Sequence, residues 1–249
     1  MESDIEALPN GESFEAAPGV IVERRSFLKL ATLALAAIAA PGTALSRMRD
    51  RTDELTFQEF LEQVIPVARE LVQNSSALGQ DRYLLTLASY AVRLIDVPVP
   101  EEWRDSKQST GPGTWIGFNP GGDPFTVLHW RMEPGTTIRT HAHSYGNVCT
   151  LGIEGSLRVR NYEMLGERDF DAKGTFKVRE TQDQIVIPGR VNLVPLEHDY
   201  IHGFVAGPDG ARGLDITTRL KERRPTPYLD LAAEPLDPDL KIYEASWIE

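Results

Sequence analysis

Three histidines in this chain carry the spacing of a metal site. His141 and His143 flank Ala142, and His202 lies far downstream in Tyr200-Ile201-His202-Gly203-Phe204. Side chains on a β-strand alternate with period two, so an His-x-His pair presents both imidazoles on one face. A third imidazole from a distant strand would complete a facial set of nitrogen ligands. The chain has five histidines in 249 residues, so placing three of them here is informative. Imidazole suits iron, zinc, copper and nickel alike, and residue type alone leaves the metal open. His198, in the polar turn Leu196-Glu197-His198-Asp199, is the rival to His202 as third ligand. His129, in Leu128-His129-Trp130, reads as structural.

Two neighbours share parity with these ligands. Arg139 is two residues before His141, and on a regular strand its guanidinium would enter the same cavity and pair with a substrate carboxylate. Its other reading is a rim arginine in a salt bridge. Tyr200 shares parity with His202 and could bring a hydroxyl to substrate. Cys149 is the single cysteine, which excludes an internal disulfide, and it reads as a small buried hydrophobe.

The elements that must position these groups are β-strands. After Trp103, short apolar runs punctuated by Gly and Pro occupy 125–131, 138–143, 148–153, 156–162, 176–178, 184–187, 191–194, 202–205 and 213–220. Many short strands with frequent turns predict an antiparallel sandwich or barrel. Two helices precede them. Phe57, Phe60, Leu61, Val64 and Ile65 recur at spacings of three and four, and Ala68, Leu71 and Val72 extend the stripe, with Pro66 predicting a kink or a break. A second helix is predicted over 81–95.

Net charge is −11, which argues against a partner bound through nucleic-acid phosphates. The N-terminal Glu23-Arg24-Arg25-Ser26-Phe27-Leu28-Lys29 resembles a bacterial twin-arginine export motif. The apolar run 27–40 behind it is shorter than the roughly 20 residues a spanning helix needs, and it suits a signal peptide ending in Pro41-Gly42-Thr43-Ala44. The expected organisation is an acidic leader and signal at 1–45, a helical segment at 46–103, a barrel at 104–222 and an extended tail at 223–249. The expected partners include the twin-arginine machinery. The expected location is periplasmic or otherwise exported, with membrane anchoring if the signal is not cleaved.

Gly135, five residues, His141-x-His143 and then Gly155 together resemble the first motif of the cupin superfamily. That resemblance implies a mainly β fold, a double-stranded β-helix or jelly-roll barrel, here with N-terminal helices. The motif normally has Glu five residues after its second histidine, and Val148 stands there. A site without that acid, followed by Gly155-Ser156-Leu157, Val159 and Tyr162, and then by Ile201-His202-Gly203-Phe204 and Leu214-Asp215-Ile216, is similar to the thiol dioxygenases of the cysteamine dioxygenase and plant cysteine oxidase branch. The resemblance covers roughly 115–220. It implies His141, His143 and His202 as ligands of Fe(II) or another divalent transition metal. It also implies Asp215 as a supporting acid that orients a ligand through a hydrogen bond.

The function implied is oxidation of a small or peptide-borne thiol to a sulfinate with O2. Two departures narrow it. Thr217-Thr218-Arg219-Leu220 replaces the branch's Pro-Pro-Tyr, and Cys149 is one residue out of phase with the cysteine of animal-type cysteine dioxygenases, so no Cys–Tyr crosslink is expected. The other readings are a metallocupin acting on a non-thiol substrate, as oxygenase or isomerase, and a barrel that binds without catalysis.

Overall fold

In a computed structural model of the chain, the described residues are 54–105, 112–119, 124–222 and 224–248. Residues 1–45, expected to be a leader and twin-arginine signal, lie outside them. Helix α1 (Phe57–Gln73) starts at Thr56, whose side chain accepts from the Glu59 amide while the Glu59 carboxylate accepts from the Thr56 amide. Such a reciprocal cap satisfies two otherwise orphaned donors. Phe57, Phe60, Val64, Ala68 and Leu71 form its buried face. The helix runs through Pro66 without ending. Pro66 is exposed, so the carbonyl that loses its amide partner can turn to water.

Helix α2 (Ala77–Ala91) begins earlier than 81, because the Ser76 hydroxyl accepts from the Gly79 amide and caps it directly after the Asn74-Ser75-Ser76 break. Three polar contacts tie α2 to the β-rich part of the chain, one to a strand and two to the 195–200 turn. Tyr83 Oη and Thr218 Oγ1 are 2.6 Å apart, the Leu196 amide donates to Gln80 Oε1 at 3.1 Å, and His198 meets Asp81 at 2.9 Å. No helix among the described residues is long and apolar enough to cross a membrane.

The rest is mainly β, one curled antiparallel sheet of ten strands. Its short strands are β1 (Arg104–Asp105), β2 (Thr114–Asn119), β3 (Phe125–Met132), β4 (Thr137–Ala142) and β7 (Val191–Val194). Two long strands, β5 (Gly146–Met164) and β8 (Ile201–Arg219), pair with each other along nearly their whole length. Where 148–153 and 156–162 predict two strands, one bent strand is found, and the same holds for 202–205 and 213–220. The first half of β8 pairs with β4 and its second half with β3. Likewise the first half of β5 pairs with β7 and its second half with β6 (Thr175–Val186).

The bend is built at β5's register shifts around Gly152 to Leu157. Gly155 there has φ +67°, and a Cβ on it would collide with the Gly210 carbonyl oxygen. Only glycine meets both demands.

The tail is not simply extended. Strands β9 (Leu229–Leu231) and β10 (Ile242–Trp247) pair with each other, and β10 pairs with β6, so the last residues complete the sheet. Val148 and Cys149 fall in different apolar clusters. Cys149 packs toward the helices with Leu87 and Ile216, whereas Val148 packs with Val194 and Ile201.

Candidate metal centre

His141 is directly opposite His202 in the β4–β8 ladder. His143 lies just past the end of β4, and its amide donates to the Tyr200 carbonyl at 2.8 Å, which continues the pairing by one step. The alternation of β4 and the pairing with β8 thus bring together three residues that the sequence separates. Their ligand nitrogens all lie within 4.8 Å of one another, and all three residues are buried. Among the described residues this is the one group of histidines, cysteines and carboxylates with such geometry. It contains no acid, and Val148 is fully buried.

The ring orientations are partly fixed. His141 Nδ1–H donates to the Arg139 carbonyl at 2.8 Å, which leaves the Nε2 lone pair free to point inward. His143 Nε2 and His202 Nε2 are 2.9 Å apart. Two nitrogens bound at right angles to one metal at about 2.1 Å would sit about 3 Å apart, so this pair fits a shared cation. Burial holds all three imidazoles below the usual histidine range. His143 and His202 are held well below it, with neighbouring histidines adding to the effect. Neutral imidazole is the form that ligates metal.

An aromatic wall supports the trio. The Phe204 ring lies 4.5 Å from His202 and 6.3 Å from His141, and Trp130 lies 5.9 Å from Phe204. Phe204 shares parity with His202, so alternation could have marked it. Trp130 Nε1–H donates to Asp215 Oδ1 at 3.2 Å, and Thr150 Oγ1–H donates to the same oxygen at 2.6 Å. Burial pushes the Asp215 carboxyl up to about 6 against the pull of these two donors. Asp215 thus braces the wall through Trp130, and no hydrogen bond joins it to a ligand histidine. His202 Nδ1 is buried without a hydrogen-bond partner among the described residues.

The structure places the remaining sequence candidates as follows. The β4 register shifts between Ile138 and His141, which breaks the alternation that put Arg139 on the ligand face. Its side chain is exposed, and what it gives the site is its carbonyl. The Tyr200 side chain is buried away from the imidazoles. The Met164 amide donates to its hydroxyl at 3.4 Å, the Phe170 ring stands 5.7 Å away, and the Arg168 guanidinium lies 5.1 Å over its face. His198 is held between Asp81 and Asp199, at 2.9 and 3.0 Å, and is not in the ligand group. His129 is buried beside Trp103, and burial lowers it to about 4.

One residue at the site had no sequence signal. Tyr228, from the tail, sets its ring 5.7 Å from that of His141 and bridges to His141 through the backbone, while the Ala142 amide donates to the Pro227 carbonyl at 2.9 Å. Nothing in Pro225-Thr226-Pro227-Tyr228 itself announces a contact with β4.

No protein-family model matches the chain, and no curated protein matches it. Solved structures do. KdgF from Halomonas sp. is 18% identical with a TM-score of 0.35, over 50% of this chain and 88% of that one. The polyketide cyclase RemF from Streptomyces resistomycificus is 18% identical with a TM-score of 0.38, over 56% and 88%. An 11S globulin from Wrightia tinctoria is 15% identical with a TM-score of 0.37, and the match spans 54% of this chain and 31% of the globulin. At these identities and TM-scores the likenesses carry no argument about activity, and the site is read from its own atoms. Its three buried histidines are compatible with a metal centre.

Proposed function

We propose that this protein is a metal-dependent oxidoreductase of the cupin type, an Fe(II) thiol dioxygenase exported by the twin-arginine route. The observation that carries the reading is the acid-free cluster of His141, His143 and His202, with two ring nitrogens 2.9 Å apart. Three neutral ligands would leave a divalent cation its full charge and one open face. Iron held there would supply a place for a thiolate and O2 side by side, and the electron density that lets oxygen react with sulfur.

The chain's own residues have defined tasks in this reading. The Arg139 carbonyl fixes the His141 ring. Phe204 and Tyr228 flank that ring and keep water from it. Val148 keeps an apolar residue in the slot where a fourth ligand would stand. The overall reaction adds both atoms of O2 to a thiol to give a sulfinic acid, with no other reductant needed. Export rests on Arg24-Arg25 and the apolar run behind them. That route carries folded proteins, which suits a chain that takes up its metal before export.

The test is anaerobic purification with elemental analysis, followed by oxygen-electrode assays over a panel of amino-acid, amine and peptide thiols with mass detection of the product. A gain of two oxygen atoms on one thiol supports the proposal. Bound iron with no oxygen uptake on any thiol, but uptake or turnover on a phenolic or other non-thiol compound, would move it to the second metallocupin reading.

A further inference from the structure

The chain carries 37 acidic and 26 basic residues, so a place where bases outnumber acids needs an explanation. One cleft gathers Arg168, Lys221 and Arg224 around Ser144, with Phe170 and Glu222 completing its wall. Its volume is about 320 Å³, room for a small anion. Ser144 is buried, and its hydroxyl has no hydrogen-bond partner among the described residues. A buried hydroxyl left without a partner is costly, and a ligand oxygen would satisfy it.

The cleft is built from fixed parts. Arg168 is held by the Leu196 carbonyl and by Glu197 at 3.5 Å, and it stacks over Phe170 and Tyr200. The Leu220 and Lys221 amides both donate to the Tyr145 carbonyl at 2.9 Å, which pins the start of the tail beside Ser144. Arg224 and Lys221 are exposed, free to close on a ligand. Glu222 opposes them and Glu197 pairs with Arg168, so three cations face two acids and the wall keeps a single net positive charge.

We propose that this cleft is an oxyanion site that takes a phosphate or a carboxylate group. Arginine offers a planar fork to either, and lysine a point charge. The hydroxyl of Ser144 donates the remaining hydrogen bond. None of His141, His143 and His202 lines the cleft, so the groups that would hold the anion are not those that would hold a metal. Because Ser144 follows His143 directly, and the tail that carries Arg224 goes on to Tyr228, a bound anion would also order the segment that crosses His141.

The test is calorimetric titration of the full chain at low ionic strength with inorganic phosphate and, separately, succinate, after metal has been removed by dialysis. Removing the metal keeps any anion binding at the histidines out of the signal, so failure of the metal reading leaves the result intact. A dissociation constant of about 1 mM or tighter for either probe, weakened about tenfold or more in the double variant K221Q/R224Q and also in Ser144→Ala, supports the site. The probe that binds more tightly identifies the class of anion. No binding of either probe, or unchanged affinity in both variants, overturns it. Lys221 and Arg224 are outside the core, so their variant keeps its circular dichroism spectrum. A native spectrum for the Ser144→Ala protein likewise makes its result count.

Discussion

His143 Nε2 lies 2.9 Å from His202 Nε2 although 59 residues separate them in the chain. Two neutral imidazoles cannot both aim lone pairs at each other without repulsion. Either one nitrogen carries a proton, or a cation lies between them. A cation there would also meet the inward nitrogen of His141, whose other nitrogen is committed to the Arg139 carbonyl. His202→Ala is therefore expected to lose bound metal, and His198→Ala to retain it. Elemental analysis of the two proteins purified side by side decides this, and equal metal content would end the ligand assignment.

His198 makes a prediction about pH. Burial pulls its imidazole down, but hydrogen bonds and charge from Asp199 and Asp81 outweigh burial and raise it to about 9. A group raised in the folded state stabilises fully below its unfolded value, about 6.5, and loses that contribution as pH rises through about 9. Thermal stability should fall between these pH values. In His198→Ala that part of the slope should vanish, with a cost at pH 6 on the order of 2 kcal/mol. Melting curves from pH 5.5 to 9.5 for both proteins check it, and a slope that survives the substitution would refute the assignment.

Tyr228 predicts how the tail guards the site. Its ring stands over His141 from a segment otherwise held by the Pro227 carbonyl. Tyr228→Ala should bind metal with unchanged stoichiometry and cost only about 1 kcal/mol of stability. Metal should leave it faster when a chelator is added. Stopped-flow extraction against the parent protein measures this, and identical extraction rates would show that the ring does not control access.

Gly155 tests the bend. Alanine there must adopt φ near +67° and press its Cβ against the Gly210 carbonyl oxygen. Strain of this kind costs on the order of 1–3 kcal/mol for the backbone conformation alone, and the collision adds to it. Gly155→Ala should lower the denaturation midpoint accordingly. Ser156→Ala, the adjacent residue, should have a small effect. Urea unfolding of both variants gives the comparison, and equal midpoints would remove the bend from the account.

Much of the fold was legible because local patterns agree with the final packing. The α1 stripe and β7 at Val191–Val194 appear where their residues predict. Elements differed from their sequence reading where a tertiary partner acts. Runs split by Gly155 or by 206–212 became single bent strands, because β5 and β8 pair across the bend. The tail gained strands because β6 offered an open edge to Ile242–Trp247. Arg139 left the ligand face because a register shift in β4 interrupts the two-residue period on which its placement rested.

The sequence by itself determined which residues could ligate a metal. His-x-His is a short-range pattern, and period-two alternation carries it into space without further information. The tertiary structure decided what meets those ligands. It set His202, and not His198, beside His141 and His143, with His198 held in an ion pair by Asp81 of α2. It also set Asp215 behind Trp130 and brought Tyr228 over His141. Such contacts depend on the relative placement of strands and tail, which is fixed by pairing and burial across the whole sheet and leaves no trace in the local sequence.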